Sequence, residues 1–593
     1  MIERQRNGED IPSSSLKQII LSFVSLGLDE QNTKRINLTV YQDFFETAFL
    51  ENTRTYYTNE SKEFLAHNSV VEYVKKANNR LNEEYQRVKM YLHQYTEERL
   101  MSTCDQVLIS DHAAAIQNEF QVLLGDDRQE DFHTMYKLLS RVEGGLVPIQ
   151  QALQAHVEKQ GMEAVQKLQS QTTGGPVDPK AYVDSLLVVH MKYSALVSES
   201  FENNKDLVRA LDNGCRAFIN NNIIAKPTQQ LDKDSKTPEL LAKYADSLLK
   251  KSSKNTGEAD IDASLNGIMR IFQYLDEKDA FEKFYSRLLS KRLVNNSSTS
   301  EDAETSMVAK LKEACGYEYT NKLQRMFQDM KTSADLQNQF KNTLEKKDVD
   351  FTAYVLAQSI WPLPDLKPTF ELPKQLVGTF DRFQNFYGTK HSGRKLMWLW
   401  NFCKGEIRAN YPKTSKTGYT FQVSVFQIAI LLPFNDADTL SFQQLKEITG
   451  LSKEYLANSL HFLLKAKVLL QNPENTEISD ESNSFSYNPN FKSKKVRINL
   501  NLPLKTEQKQ DTEDTQKKIQ DDRHLFLQAI IVRIMKARKE LTHVNLVQET
   551  LEQSRRFKPR VPDIKKTIDT LIEREYLQRV VKANNTTSYQ YLA

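Results

Sequence analysis

Cysteine is scarce in this chain, which contains only four among 593 residues. Cys104, Cys215, Cys315 and Cys403 are too far apart in sequence to supply the closely paired ligands of a zinc knuckle. None of the ten histidines lies three to five residues from another histidine or from a cysteine. We therefore expect four buried, reduced thiols, no local metal site and no cofactor.

Glycine and proline are also few, at 18 and 17 residues, which excludes collagen-like architectures and favours long regular elements. Long hydrophobic runs are missing as well. The most apolar stretch, residues 425–434, is interrupted by Gln427 and Pro433, whereas a bilayer helix needs about 20 apolar residues. Residues 1–10 carry charges and lack the apolar core of a signal peptide. We expect a protein of the cytoplasm and nucleus without a membrane partner.

Neither sign of charge dominates, because the chain has 80 basic and 77 acidic residues and a formal net charge of +3. This balance disfavours nucleic-acid binding through the whole surface and leaves room only for a local basic patch. The chain has no phosphate loop, dinucleotide-binding glycine motif, nucleophile elbow or zinc-protease motif. Acidic pairs such as Glu83–Glu84 are expected to be solvated helix surface. These absences favour a non-catalytic scaffold over an enzyme.

What the chain does contain is helical periodicity. Between residues 70 and 100 an apolar residue recurs every three or four positions, which is typical of an amphipathic helix. Helical patterns fill the first 235 residues and continue to about residue 361, so the fold class is predicted to be mainly α.

A mixed region follows, in which strands are predicted at 396–400, 419–425 and 496–502 and two helices are split by Gly450. The polar segment 505–523 is predicted to be an exposed helix or tether. The last residues form three helical patterns followed by two short strands, a winged-helix arrangement.

Several ordered motifs carry a resemblance to the cullin family. Residues 530–539, with the sequence IIVRIMKARK, and the chain end 589–593 resemble the cullin modification motif. Upstream, the segments 279–294, 302–316 and 391–396 also fit the family. The chain is similar to cullins over essentially its whole length.

The resemblance implies a scaffold of a multi-subunit ubiquitin ligase. Such a scaffold holds a RING-box protein, which recruits a ubiquitin-conjugating enzyme, and is activated when a ubiquitin-like modifier is attached to it. A cullin exchange factor and a deneddylating signalosome are further implied partners. Met1 resembles the start of the second of the family's three repeats, as in a shortened form or an incomplete chain. Binding of a substrate adaptor with its F-box protein is therefore not carried over to this sequence.

The expected architecture is an elongated stalk of helical repeats, a four-helix bundle, an α/β domain with a small sheet and a C-terminal winged-helix domain. The predicted boundaries place helical repeats at 1–127 and 128–235, the bundle at 236–365, the RING-box-binding α/β domain at 366–515 and the winged-helix domain at 516–593.

Lys536 is the residue that matches the family's modification site. A helix there would bury Ile530, Ile534, Ala537 and Leu541 on one face, and Lys536 lies about 200° around the helix from Ile534. Helix geometry therefore predicts an exposed amine. Without the motif, Lys536 would be an ordinary solvated lysine.

Two strands are candidates for holding the RING-box protein by strand addition. Their alternating apolar residues are Tyr419, Phe421 and Val423 in one, and Val496, Ile498 and Leu500 in the other. The alternative is a self-contained sheet.

Eight basic residues are candidates for a channel that attracts an acidic tail of the conjugating enzyme. They are Lys283, Arg287, Lys291, Arg292, Lys492, Lys494, Lys495 and Arg497. The alternative is a solvated helix face.

A second class of function remains open, a helical transcription or chromatin factor that binds DNA through its winged helix. The predicted recognition helix carries Lys565 and Lys566 near its start, as such a factor requires. It also carries Asp563, Asp569 and Glu573, which phosphates would repel. The sequence therefore favours protein docking, with no nucleic acid bound.

Overall fold

The computed structural model describes residues 1–27, 37–125, 131–171, 175–226, 234–251, 257–343, 349–363, 368–410, 418–473, 476–502, 505–554, 556–581 and 587–592. The chain divides into two compact units, Met1–Leu241 with Arg270–Asp276, and Ala242–Met269 with Glu277–Ala593. The prediction of a mainly helical fold is confirmed. Among the described helices, none is long and apolar enough to cross a bilayer.

The first unit consists of helices. They are α1 (Ile2–Arg6), α2 (Ser13–Ser25), α3 (Thr39–Tyr41), α4 (Thr47–His67), α5 (Val70–Tyr91), α6 (Thr96–Leu108), α7 (Ala113–Gly125), α8 (Phe132–Leu139), α9 (Val147–Gln171), α10 (Pro179–Ser200) and α11 (Lys205–Asn221). A π-helical turn, Gln42–Glu46, precedes α4, and a 3₁₀ turn, Ser110–His112, precedes α7.

Helix α5 shows why these segments are helical. Ser69 caps its first turn by accepting from the Glu72 backbone N–H at 3.3 Å, and the Glu72 carboxylate accepts from the Ser69 N–H. Val74, Ala77 and Leu81 are buried at the predicted spacing.

The acidic pair in α5 differs from expectation. Glu84 is fully buried rather than solvated, and it accepts from Arg6 at 2.8 Å and Arg87 at 2.7 Å. Burying this carboxylate is tolerated because two guanidinium groups neutralise it.

The second unit adds more helices and, among the residues that the structure describes, three small sheets. The helices, the first two of which run across the division between the units, are α12 (Thr237–Leu249), α13 (Glu258–Tyr274), α14 (Lys278–Val294), α15 (Glu301–Cys315), α16 (Tyr317–Lys341), α17 (Lys374–Lys390), α18 (Val425–Leu431), α19 (Phe442–Thr449), α20 (Lys453–Lys465), α21 (Lys505–Arg538), α22 (His543–Gln553) and α23 (Val561–Glu573). The strands are β1 (Lys404–Ala409), β2 (Tyr419–Ser424), β3 (Thr439–Ser441), β4 (Leu469–Asn472), β5 (Ser484–Tyr487), β6 (Arg497–Asn499), β7 (Glu540–Thr542), β8 (Leu577–Val581) and β9 (Thr587–Tyr591).

The strands pair in the orders β1–β2–β6, β3–β5–β4 and β7–β9–β8, and only β2 and β6 are parallel. Gly450 ends α19 with φ of +64°, a left-handed conformation that suits glycine, so the predicted split between two helices is confirmed. The strand predicted at 396–400 is wrong, because residues 394–399 pair with no described strand and 400–402 form a 3₁₀ turn.

The winged-helix arrangement is present, with three described strands where the sequence predicted two. Its first helix is much longer than predicted, because α21 begins at Lys505 and continues without a break to Arg538. The segment 505–523 is therefore helical, and Thr515 and Ile519 within it are buried, so it is not a free tether. The predicted boundary at 515/516 falls inside this helix, while those at 127/128 and 365/366 lie outside the described residues.

Candidate modification and partner-binding sites

Lys536 lies in the last turn of α21. Ile534 and Met535 are buried in the winged-helix core, whereas Lys536 is exposed, as helix geometry predicts. The predicted face is wrong in one detail, since Ala537 is exposed rather than buried. Two residues after Lys536 the helix ends, and Lys539 takes a left-handed backbone conformation with φ of +66°.

The basic neighbours of Lys536 are each held by another side chain. Arg533 donates to Gln553 at 2.8 Å, Arg538 pairs with Glu549 at 3.3 Å, and the Lys539 ammonium lies 5.3 Å from the Tyr591 ring centroid. No described residue forms a hydrogen bond or ion pair with the Lys536 ammonium. Its amine is therefore exposed and uncommitted, which are two requirements of an acceptor nucleophile.

The predicted docking strand at 419–424 is an interior strand. β2 is bonded on one side to β1 and on the other to β6, so it has no free edge for a partner strand. Tyr419, Phe421 and Val423 are at most 5% exposed, because they fill the core of the α/β region. These three residues cannot contact a partner directly, and that part of the interface prediction is wrong.

The second predicted strand is shorter than expected and its burial does not alternate as predicted. β6 covers only Arg497–Asn499, and Val496 before it is 58% exposed rather than buried. Leu500 is buried in the same core as β2, and Ile498 packs against that core. These two residues are also structural, although the outer edge of β6 is open among the described strands.

A different segment, residues 351–357, has the features of a strand that lacks a neighbour. Its inner edge lies along α16. The Gln337 carboxamide accepts from Ala353 N–H at 3.0 Å and donates to the Phe351 carbonyl. The Ser333 hydroxyl accepts from Val355 N–H at 2.8 Å and donates to the carbonyl of the same residue at 3.1 Å.

Asp329 completes this series by accepting from Ala357 N–H at 2.9 Å. The three side chains are four residues apart on α16, a rise of about 6 Å per step. Alternate residues of an extended strand are about 6.6 Å apart, so each helical step matches two strand residues. Residues 351–357 are consequently extended, and they run antiparallel to α16. We name these contacts the α16 ladder.

The outer edge of the same segment is unpaired. No described residue bonds the backbone groups of Thr352, Tyr354 or Leu356, which point away from the α16 ladder. These residues line one cavity of about 2090 Å³ together with the segment 395–399, which pairs with no described strand. Both segments pack on one aromatic cluster, where the Phe351 and Trp398 ring centroids are 6.3 Å apart. Sequence reasoning missed this site, although the four-residue spacing of Asp329, Ser333 and Gln337 was a visible signal.

Three of the four predicted cations of α14 do not line an open basic channel, because acids of α21 neutralise them. Arg287 donates to Asp511 at 2.5 Å and to Thr515 at 2.7 Å, and Lys291 binds the same carboxylate. Lys283 pairs with Asp522 further along α21. Lys283, Arg287 and Lys291 thus form part of the contact between α14 and α21.

Arg523 extends this contact toward the winged-helix core. Its guanidinium donates to Asp279 at 2.6 and 2.9 Å and to Glu277 at 3.2 Å. The same group lies 4.8 Å from the Phe557 ring centroid. We call the contacts of Lys283, Arg287, Lys291 and Arg523 the α14–α21 zipper; they pair two antiparallel helices along about three turns.

Arg292 is buried rather than part of a surface patch. It is 2% exposed and contacts Glu304 at 2.6 and 2.9 Å and Asp246 at 2.5 Å. Lys492, Lys494 and Lys495 are exposed, and Arg497 pairs with Glu406 on the surface. Of the eight predicted basic residues, these last four remain at the surface.

Arg292→Ala is therefore expected to destabilise the fold rather than affect enzyme recruitment. It leaves the Glu304 carboxylate, which is 1% exposed, without its main counter-charge. Such a loss costs about 3–5 kcal/mol. A urea unfolding midpoint measures it, with Lys494→Ala as the exposed control that stays within about 0.5 kcal/mol of the unmodified sequence. Equal midpoints for the two variants would contradict the structural role.

Comparison with known proteins matches three family models in chain order. They are the cullin alpha solenoid domain at residues 1–337, the cullin alpha+beta domain at 355–491 and the cullin protein neddylation domain at 522–583. The chain belongs to the cullin family.

Relatives that match nearly all of this chain place this cullin near cullin-1. It is 45% identical to cullin-1 of Dictyostelium discoideum over 99% of this chain and 77% of that protein. It is 43% identical to cullin-1 of Schizosaccharomyces pombe, with coverage of 100% and 76%. It is also 35% identical to cell division control protein 53 of Saccharomyces cerevisiae, with coverage of 99% and 77%.

The cullin is a scaffold of the SCF-type ubiquitin ligases. The alternative of a DNA-binding factor is not supported. On the would-be recognition helix α23, Asp563 pairs with Arg560 and Asp569 pairs with Arg579, so these two arginines already have acidic partners.

Proposed function

We propose that this cullin performs no chemistry itself and that it holds a RING-box protein, with its ubiquitin-conjugating enzyme, close to a substrate. Attachment of a ubiquitin-like modifier to Lys536 activates the assembly. The observation that carries this proposal is the exposed, uncommitted amine of Lys536 inside the neddylation domain. A scaffold of this kind accelerates transfer by proximity and orientation.

The RING-box protein is proposed to add an extended segment to the outer edge of residues 351–357. Three features support this position. The edge presents unpaired N–H and C=O groups at Thr352, Tyr354 and Leu356, and main-chain pairing is the usual way in which a free edge binds a peptide. The cavity has an apolar floor that includes Phe351 and Trp398. Unlike β2, this edge has room for a neighbour.

Tyr354→Pro tests this docking edge. Proline removes the N–H that an incoming strand needs, and its ring obstructs close approach of that strand. We expect co-purification of the RING-box protein to be lost, while the melting temperature changes little because no described residue bonds this amide. Tyr354→Ala is the matched control, since it removes the side chain and keeps the amide. Undiminished binding by a folded Tyr354→Pro chain would exclude this edge.

The conjugating enzyme is proposed to use the remaining surface lysines, Lys492, Lys494 and Lys495. They are exposed on one short segment, and their field would speed the arrival of an acidic partner more than it would tighten the complex. Arg497 contributes less, because Glu406 neutralises it.

A further inference from the structure

We propose that Asp329, Ser333 and Gln337 are positioning residues for the RING-box partner: the α16 ladder holds residues 351–357 as a finished strand, so that the outer edge is ready before the partner arrives. This inference rests on the proposed docking edge. It assigns a role to three side chains that do not themselves contact the partner.

The first argument is burial. Ser333 is 1% exposed and Gln337 is 6% exposed, positions where an apolar side chain would avoid the cost of desolvating polar atoms. Both side chains satisfy their hydrogen-bonding groups on the backbone of residues 351–355. The polar groups of Ser333 and Gln337 therefore match the hydrogen-bonding groups along this edge of the backbone.

The second argument is geometry. The Gln337 carboxamide accepts from one strand residue and donates to the residue two positions earlier, as the N–H and C=O of one residue in a parallel neighbouring strand do. The Ser333 hydroxyl likewise satisfies both groups of a single residue. Side chains of α16 thus make the hydrogen bonds that the backbone of a neighbouring strand would make.

The third argument is the asymmetry between the two edges. Ala353, Val355 and Ala357 are bonded through their amides, whereas Thr352, Tyr354 and Leu356 have no bonds to any described residue. A segment that is hydrogen-bonded along one edge remains extended. Its other edge then exposes a full set of backbone N–H and C=O groups. Binding then requires no prior ordering of the acceptor, which favours fast association.

The test removes single steps of the α16 ladder. Ser333→Ala deletes a hydroxyl, and Gln337→Met replaces the carboxamide by an apolar chain of similar length. Asn338→Ala, an exposed change on the same helix, is the matched control. Hydrogen exchange is measured on the free chain at Ala353, Val355 and Ala357, and binding of the RING-box protein is followed by stopped-flow kinetics.

Each ladder variant is expected to exchange the Ala353 and Val355 amides about tenfold faster. The association rate should fall about twofold, because a tenfold rise in opening lowers an edge that is competent about nine-tenths of the time to about one-half. The dissociation rate should change by less than twofold, since the bound partner itself then holds the strand. Asn338→Ala should leave all three quantities unchanged.

The outcomes separate this inference from the docking proposal. Unchanged exchange in both variants would overturn the ordering role. Faster exchange with an unchanged association rate would overturn the positioning role. If the unsubstituted chain failed to bind the RING-box protein, the docking proposal would fall and the positioning role with it, whatever the exchange rates were. A parallel rise in dissociation rate and loss of melting temperature would indicate a merely structural role.

Discussion

Lys536→Arg is expected to yield a folded scaffold that cannot be modified. The substitution keeps the positive charge and has nearly the same helix propensity, and the site is exposed, so stability should change by no more than about 0.5 kcal/mol. A guanidinium remains protonated at neutral pH and cannot act as the attacking nucleophile. Incubation with the modifier and its enzymes, followed by intact mass measurement, should show complete loss of the modified species.

Lys539→Arg is the matched control for this prediction. Lys539 lies three residues further along, but its ammonium rests over the Tyr591 ring and its backbone has left the helix. Arginine retains that ring contact, so fold and modification should both be normal. Tryptic mass spectrometry then decides the site. An isopeptide remnant on Lys539 or another lysine, with Lys536 unmodified, would show that the assignment is wrong.

The exposure of Lys536 and the winged-helix core could be predicted because both follow from helical periodicity within a short segment. Ile530 and Ile534 recur at a spacing that selects one face, and Lys536 falls outside it. The split at Gly450 was predictable for a similar local reason, since a left-handed residue after a helix favours glycine.

Strand pairing could not be predicted in the same way. The alternation of Tyr419, Phe421 and Val423 indicates a strand with one buried face, but it does not tell whether that strand lies at an edge or in the interior of a sheet. The partners of β2 come from residues before and after it in sequence. Residues 351–357 could not be recognised as a strand for a different reason. Their backbone groups are bonded by side chains of α16 and not by the backbone of a neighbouring strand.

The basic stripe of α14 shows the same limit for charges. A spacing of four residues places Lys283, Arg287 and Lys291 on one face. It does not reveal that Asp511, more than two hundred residues away, lies against that face. Whether a charged stripe recruits a partner or joins two helices therefore depends on a long-range contact.

Asp511→Arg is expected to open the α14–α21 zipper. The new cation would face Arg287 and Lys291, so two attractive contacts become repulsive. Arg287 is 8% exposed, and breaking a contact of such a buried charge costs about 3 kcal/mol. Amides in residues 511–519 should exchange hydrogen roughly a hundredfold faster. Amides around Ile531 and Ile534 should stay protected, because the winged-helix core does not include Asp511.

The zipper also bears on the proposed activation by modification. If the winged-helix domain must move to free the conjugating enzyme, contacts along α14 oppose that movement, and weakening them should favour the active arrangement. Unmodified Asp511→Arg chain, assembled with its partners, is therefore expected to ubiquitinate substrate faster than the unmodified original. Its gain from modification should be correspondingly smaller.

Asp514→Arg separates the specific contact from a general charge effect. It makes the same change in net charge on the same helix, three residues away, at an exposed position. We expect its exchange rates and its unmodified ligase activity to match those of the original chain. An equal acceleration in both variants would mean that overall charge, rather than the contact with Arg287 and Lys291, controls α21. Unchanged exchange in Asp511→Arg would mean that these ion pairs do not hold the helix, and the proposed restraint on the winged-helix domain would have to be abandoned.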